Sequence, residues 1–281
     1  MPLDEYKLKS ISKSTVIHAF LLVVTVTCLF PLFWMLRSAL MTQDTIFIDK
    51  SFIPHKINLQ NFYVAWTEGN FGMYFLNSVI YTSCVVVGII LISSLAAYAF
   101  SRLQFPGKNI FFYMFVGAMM IPLPGSFVPL YVLMNKLHLV NTRLGYILCM
   151  INVGLSMSIF LLKTFFDKMP SDLEDAARID GCSKLGIWWY VALPLARPAI
   201  AVIVIFNSLS VWNEYILATL LLNDKELMPI QRGLMVFQGS HSVDYPLLMA
   251  GLTIAAVPII VIYLFMQKHI IKGLSSGALV G

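Results

Sequence analysis

Charge is what this sequence has least of. Only 12% of its 281 residues are charged and 59% are hydrophobic, against roughly a quarter charged in a soluble domain. With a mean hydropathy of +0.81, most of the chain has lipid rather than water as its solvent, which excludes an ordinary soluble enzyme or binding module. Cysteine is also sparse. Cys28, Cys84 and Cys149 lie in apolar runs and Cys182 in a polar stretch, so they make no disulfide framework and read as small apolar fillers. The five histidines are scattered without ligand spacing, and no metal site is expected. A phosphate-binding loop is missing as well: "PGKN" at 106–109 lacks both the upstream glycine and the Ser or Thr after lysine. There is no internal repeat and no low-complexity tract.

What is present is a series of six apolar runs, Val16 to Leu36, Tyr74 to Ala99, Ile110 to Met134, Leu144 to Leu162, Ala199 to Leu222 and Leu247 to Met266. Each is close to the roughly 20 helical residues that cross a bilayer. Hydrocarbon demands that backbone groups bond within their own segment, so helices are expected, and the short alternating runs of a barrel are absent. The expected fold class is therefore an all-α integral membrane protein with six transmembrane helices. Its divisions are a terminus over 1–15, a first span over 16–36, an outer segment over 37–73, a five-helix core over 74–266 with a polar loop over 167–198, and a tail over 267–281. The first run is too long for a signal peptide core and has no small-x-small cleavage site, so it reads as an uncleaved span.

Lysine and arginine set the orientation. Twelve fall on the side holding both termini and the polar loop, and seven on the other, which places both termini and that loop in the cytosol. The net charge of +5 then needs no nucleic-acid partner. The outer segment "FIPHKINLQNFYVAWTEGNFG" is rich in turn formers and aromatics and is expected to fold back on the membrane surface. Pro122, Pro124, Gly125 and Pro129 interrupt the third run, and a kink or break is expected there. Such a break lines a pathway, or it reflects only the commonness of Pro and Gly in membrane helices.

The polar loop carries "DLEDAARIDGCSKLGIWWYVALP", residues 172–194. Ser171 and Glu174 have capping-box spacing, and Glu174 stands four before Arg178 in the favourable order. Leu173, Ala176 and Ala177 make a narrow, mostly small stripe predicted to lie opposite Glu174 and Arg178. Gly181 permits the left-handed turn that ends a helix, and Ser183 is placed to cap the next. The second helix, with Ile187, Trp188, Trp189 and Tyr190, suits the membrane interface, and Pro194 and Pro198 delimit the turn into the fifth span. On chemistry alone this is either a docking element or a plain loop with two surface helices.

"DAARIDGCSKLGIWWYVALP" closely resembles the EAA loop of permease subunits in ATP-binding-cassette importers. Asp175, Ala176 and Ala177 match its opening, with aspartate for glutamate. Asp180 and Gly181 match its centre, Val191, Leu193 and Pro194 its end, and Cys182 replaces the usual alanine. "AYAFSRLQFPGKN", "VWNEYILATLLL", "MPIQRGLMVFQG" and "KGLSSGALVG" extend the resemblance to the carbohydrate-uptake branch, from about Asn70 to the last residue. The chain is similar to the smaller, six-span permease of maltose-type systems, and the resemblance implies a type I importer fold in a bacterial or archaeal cytoplasmic membrane. It further implies a second homologous permease, two ATPase subunits that carry the ATP and Mg, an extracytoplasmic solute-binding protein, and no bond chemistry in this chain. By it, Glu174, Asp175, Ala176, Ala177, Arg178, Asp180, Gly181, Leu193 and Pro194 form the ATPase-coupling contact. Gln238, Gly239, Ser240 and His241, in the loop from Asn223 to Pro246, meet the binding protein.

Glu214 is the one acid placed inside a span, which is costly enough to suggest a partnered, inward role. With Asn207, Ser210, Trp212 and Asn213 it is a candidate substrate pathway, since sugars are held by hydrogen bonds and aromatic stacking. A polar seam between helices explains the same residues. Two rival functions remain besides a non-sugar importer. An ion-coupled transporter calls for several intramembrane carboxylates or paired broken helices, and a membrane enzyme calls for a nucleophile, base or metal cluster. Neither set is in the sequence.

Overall fold

The structure, a computed structural model, describes residues 3–121, 123–239 and 243–278, with backbone alone at 3–13, 123–124 and 266–278. The described residues fall into two compact units, one within 1–69 and 236–254, the other within 70–235 and 255–281. They are mostly helical; among them the sole β pairing is an isolated antiparallel bridge between Gln238 and Val243.

In the first unit, α1 (Leu3–Ala39) carries an apolar stretch, Ser14–Ala39, with none of its most hydrophobic window buried. A face of Val16, Phe20, Leu22 and Val26 open on all sides suits lipid. At its end Arg37 is buried, and it organises the turn that follows. Its Nε donates to Ser51 O and its Nη2 to Asp49 O, both at 2.6 Å, while the guanidinium lies 4.6 Å from the Trp34 ring centroid. Asn61, on α2 (Gln60–Thr67), donates to Ala39 O and Met41 O at 2.8 and 2.7 Å and closes the segment from the other side.

Asp49 is the other tie. Hydrogen bonds from Ser51 and His55 hold its carboxyl well below the usual carboxylate range. A depressed acid contributes stability that is present above its unfolded pKa and is lost as pH falls through the native value. Wild-type protein is therefore expected to resist limited proteolysis across 42–58 down to strongly acidic pH. Asp49→Asn is expected to be cut several times faster at neutral pH, and equal cleavage rates would dismiss this tie.

The second unit is built on α3 (Phe71–Arg102) packed along α6 (Arg143–Asp167), with α10 (Arg197–Trp212) against both. Tyr81, Val85 and Ile89 meet Tyr146, Cys149 and Met150 in one buried cluster. The Tyr81 and Tyr146 rings meet edge to face at 4.7 Å, a geometry that favours the ring quadrupoles. The third expected span is broken as its prolines predict. α4 (Lys108–Ala118) tightens through Met119, Met120 and Ile121, each bonding three residues back, and α5 (Leu123–Lys136) restarts with Pro129 inside it. Pro122 lies outside the described residues.

The fifth expected span, a single helix in the sequence reading, is divided. α10, which comes after α7 to α9 described below, stops at Trp212, and a six-residue helix, α11 (Ile216–Leu221), follows it. Four helices among the described residues are long and apolar enough to cross a membrane alone. The third and fifth expected runs are carried by shorter helices, α4 and α5 and then α10 and α11, interrupted at the prolines and at the Asn213–Glu214 polar pair. α12 (Ile230–Gly233) and α13 (Tyr245–Ala278, with Pro258 inside) complete the chain.

Candidate coupling site

Between α6 and α10 the chain forms α7 (Asp172–Ile179), then α8 (Lys184–Ile187), a π turn over Trp188–Ala192, and α9 (Leu193–Leu195). The junction of α7 and α8 is a Schellman turn. Cys182 N donates to Ala177 O at 2.9 Å and Gly181 N to Arg178 O at 3.0 Å, with Gly181 at φ 83°. Ser183 then caps α8 through Gly186 N at 3.2 Å. Pro194 has no N–H to give, and the ladder just before it widens so that Leu193 N reaches Trp188 O, five residues back. The run Lys184–Leu195 meets α10 at 76°.

Two expectations for α7 are corrected. The Ser171–Glu174 capping box does not form: Ser171 makes no side-chain cap, and its carbonyl accepts from Glu174 N and Asp175 N instead. The Glu174 carboxylate is drawn away into an ion pair, with Oε1 3.0 Å from Arg102 Nε. The buried face of α7 is consequently Glu174, 4% exposed, with Ala177. Of the expected stripe, Leu173 and Ala176 are exposed, while Ala177 shares the buried face with Glu174 instead of lying opposite it. Arg178 stays exposed, bonding Asp175 Oδ1 at 3.0 Å and lying 3.7 Å from Glu174 Oε2.

The opposite surface is open. Asp175, Ala176, Asp180 and Gly181 are exposed, Leu193 and Pro194 half-buried. Three large apolar side chains stand out among them, Leu173 at 43%, Ile179 at 86% and Leu185 at 68% exposed. Burying that much apolar surface is worth about 1.5–3 kcal/mol per side chain, so this face is energetically incomplete without a covering surface.

The candidate pathway residues separate into two groups. Asn207 is buried and donates from Nδ2 to Ser158 Oγ at 3.2 Å and Ile203 O at 2.9 Å, and Trp212 Nε1 donates to Ala255 O at 3.0 Å. Both spend their polar groups on helix packing. Ser210 and Asn213 are exposed, with Asn213 Oδ1 accepting from Gln231 Nε2 at 3.4 Å. Glu214 sits at the break between α10 and α11 and its carboxylate accepts from Leu217 N and Ala218 N at 2.8 and 2.9 Å. An acid at the start of a helix satisfies otherwise orphaned donors and offsets the positive end of the helix dipole.

The loop from Asn223 to Pro246 is anchored at its start. Asn77 Nδ2 donates to Glu226 O at 2.7 Å, Tyr81 OH to Leu227 O at 2.7 Å, and Asn141 Oδ1 accepts from Asn223 N and Asp224 N at 2.9 and 3.0 Å. Further on, Gln238 and Gly239 are exposed beside the bridge to Val243. Ser240 and His241 lie outside the described residues. No group of His, Cys, Asp or Glu among the described residues is placed to hold a metal ion. Sequence reasoning missed Arg102 and Gly154; the first is hidden by its distance from Glu174 along the chain, the second by looking like any glycine in an apolar run.

Comparison with known proteins places these features in a family. A family model described as "Binding-protein-dependent transport system inner membrane component" matches residues 88–276, more than half the chain. The chain is 36% identical over 267 residues to the probable ABC transporter permease YurM of Bacillus subtilis, covering 95% of this chain and 89% of that protein. It is 32% identical to the diacetylchitobiose uptake system permease NgcG of Streptomyces coelicolor, covering 92% and 87%. It is 31% identical to the trehalose/maltose transport system permease MalG of Thermococcus litoralis, covering 92% and 94%. A chain of a bacterial ABC transporter involved in import of the acidic polysaccharide alginate shares the fold, with a TM-score of 0.80 at 23% identity over 95% of this chain and 98% of that one.

Proposed function

Because the chain belongs to the family of binding-protein-dependent transport system inner membrane components, we propose that it passes a carbohydrate, most simply an oligosaccharide, through the bilayer beside a second, related permease. ATPase subunits supply the motion by docking on α7 and the turn after it. The observation that carries this reading is the uncovered face of Leu173, Ile179 and Leu185 around Gly181, on a loop otherwise held firmly by ion pairs and caps. Relatives named for a chitobiose derivative and for trehalose or maltose support a sugar as cargo.

In this reading α7 and α8 lie on the cytosolic side of a prokaryotic cytoplasmic membrane, as do both termini. ATP and Mg bind to the partner ATPases. Closure of the ATPase pair pushes on the docking face, and the push tilts the helices that α7 is tied to, opening the path on one side and closing it on the other. Asp175, Ala176, Asp180 and Gly181 would touch the ATPase directly, and Leu193 and Pro194 would hold the angle into α10. The exposed turn at Gln238 and Gly239, with Ser240 and His241, would meet the solute-binding protein. Ser210, Asn213 and Glu214 are better placed to face a sugar than Asn207 and Trp212, which are committed to packing.

The test is ATPase activity of the reconstituted complex with its binding protein, screened against a panel of sugars. Stimulation of severalfold or more by one sugar class is expected. No stimulation by any carbohydrate would redirect the search to other solutes, and failure of the chain to assemble with an ATPase would remove the coupling role.

A further inference from the structure

Arg102 is the last residue of α3, and its guanidinium joins three helices. Nε lies 3.0 Å from Glu174 Oε1 on α7, and Nη2 donates to Phe166 O near the end of α6 at 2.5 Å and to Met169 O just beyond it. Neither side chain has free access to water: Arg102 is 16% and Glu174 5% exposed. The neighbouring residues reinforce the same corner. Ser101 Oγ donates to Asp167 Oδ1 at 2.7 Å, Lys163 Nζ donates to Asp167 Oδ2 at 2.7 Å, and the Tyr98 and Phe166 rings meet edge to face at 6.0 Å. On its other side α7 continues through a left-handed glycine, a π turn and a 76° bend.

We propose that Arg102 is a positioning residue for coupling: it makes α7 move as one body with the ends of α3 and α6, so that motion imposed on the docking face reaches those two helices directly while the α8 to α10 side yields at its bends. The proposal rests on the docking role of α7. It follows from the chemistry of a buried ion pair. Removing one partner leaves a charge without compensation and is strongly disruptive, whereas replacing both by apolar groups of similar volume is tolerated. Arg102 also donates to Met169 O, just past the end of α6, and adds a second donor to Phe166 O, which already accepts from Met169 N at 3.1 Å.

The experiment is a double-mutant cycle on the whole complex in proteoliposomes, reading solute moved per ATP hydrolysed rather than either rate alone. Arg102→Leu and Glu174→Leu are each expected to lower that ratio at least tenfold, because either change cuts the link from α7 to the ends of α3 and α6. The double variant, in which the link is already cut, is expected to be impaired no further than the worse of the two singles. A merely structural role would lower the amount of assembled complex and leave the ratio unchanged. Single variants with a wild-type ratio, or a double variant as impaired as the two singles combined, would overturn the proposal. A photo-crosslinking side chain at Ile179 in an otherwise wild-type chain separates the two ideas. A product with the ATPase alongside unchanged ratios overturns the Arg102 role alone, and no product overturns the docking reading.

Discussion

Gly181→Val is expected to cut transport at least tenfold in complexes that still assemble. Gly181 holds φ at 83° and closes the Schellman turn between α7 and α8. A left-handed conformation costs an L residue about 1–2 kcal/mol, and a β-branched one stands at the upper end because its Cβ substituents crowd the backbone. That is a shift of roughly five- to thirtyfold away from the bent form, before any loss of contact with a partner. The chain itself leaves room, since a Cβ built at Gly181 meets no atom within 4 Å. The damage therefore lies in backbone conformation or in an approaching partner, and asparagine tells them apart. Asn tolerates the left-handed region, so Gly181→Asn retains most transport if conformation is what matters and fails like valine if an ATPase backbone comes within contact distance. Uptake into proteoliposomes, normalised to assembled complex, is the measurement; a normal rate with valine removes Gly181 from coupling.

The features legible in the sequence were those set by short-range rules. Long apolar runs announced helices, the cluster from Pro122 to Pro129 announced a break, and Gly181 and Ser183 marked a turn and a cap whose backbone geometry the structure shows. Each of these needs only neighbours within a few residues. Glu174 shows where such rules stop. Its spacing from Ser171 satisfies a capping box, yet a guanidinium 72 positions upstream offers an ion pair at 3.0 Å, and a cap worth about 1 kcal/mol yields to it. Once Glu174 turns inward it takes its neighbour on the wheel, Ala177, with it, which is why the expected stripe is divided between the buried and the open side. Glu214 is the complementary case. Its cost inside an apolar run was legible, but the remedy, ending one helix and capping the next, appears only when the break at 213–215 is seen.

The role of the ion pair at Arg102 and the role of the turn at Gly181 are linked by geometry. One fixes α7 to the ends of α3 and α6, and the other sets the angle at which the chain leaves for α10. A docking element needs both, since a helix that is firmly seated but wrongly bent, or correctly bent but loose, transmits a push poorly. The two sites lie at opposite ends of α7, Glu174 in its first turn and Gly181 just past its last, so their variants are expected to impair transport independently.

A second large effect is expected deep in the helical core, at Gly154→Val, which should largely prevent accumulation of folded complex. Gly154 is on α6, with Ile89 of α3 and Asn207 of α10 both against it. A Cβ there would lie 2.1 Å from Asn207 Oδ1 and 2.5 Å from Ile89 Cδ1. Small residues at such crossings let helices approach in a medium that gives no hydrophobic push between them. Ile89 can rotate its terminal methyl away, but Asn207 is held by bonds to Ser158 Oγ and Ile203 O, and Ser158 Oγ itself donates to Gly154 O at 2.7 Å. Making room therefore adds broken hydrogen bonds, about 0.6–2 kcal/mol each in a membrane, to an overpacking cost of about 1–3 kcal/mol. Gly154→Ala should show the same conflict in milder form, as a clear fall in the thermal midpoint of the detergent-solubilised complex. Adding Asn207→Ala removes the atom struck first, so the pair Gly154→Ala and Asn207→Ala should unfold at a higher temperature than the sum of the two single effects predicts. Strict additivity would mean that the three helices do not meet through Asn207, and its amide would then be free to face the transport path rather than the packing seam.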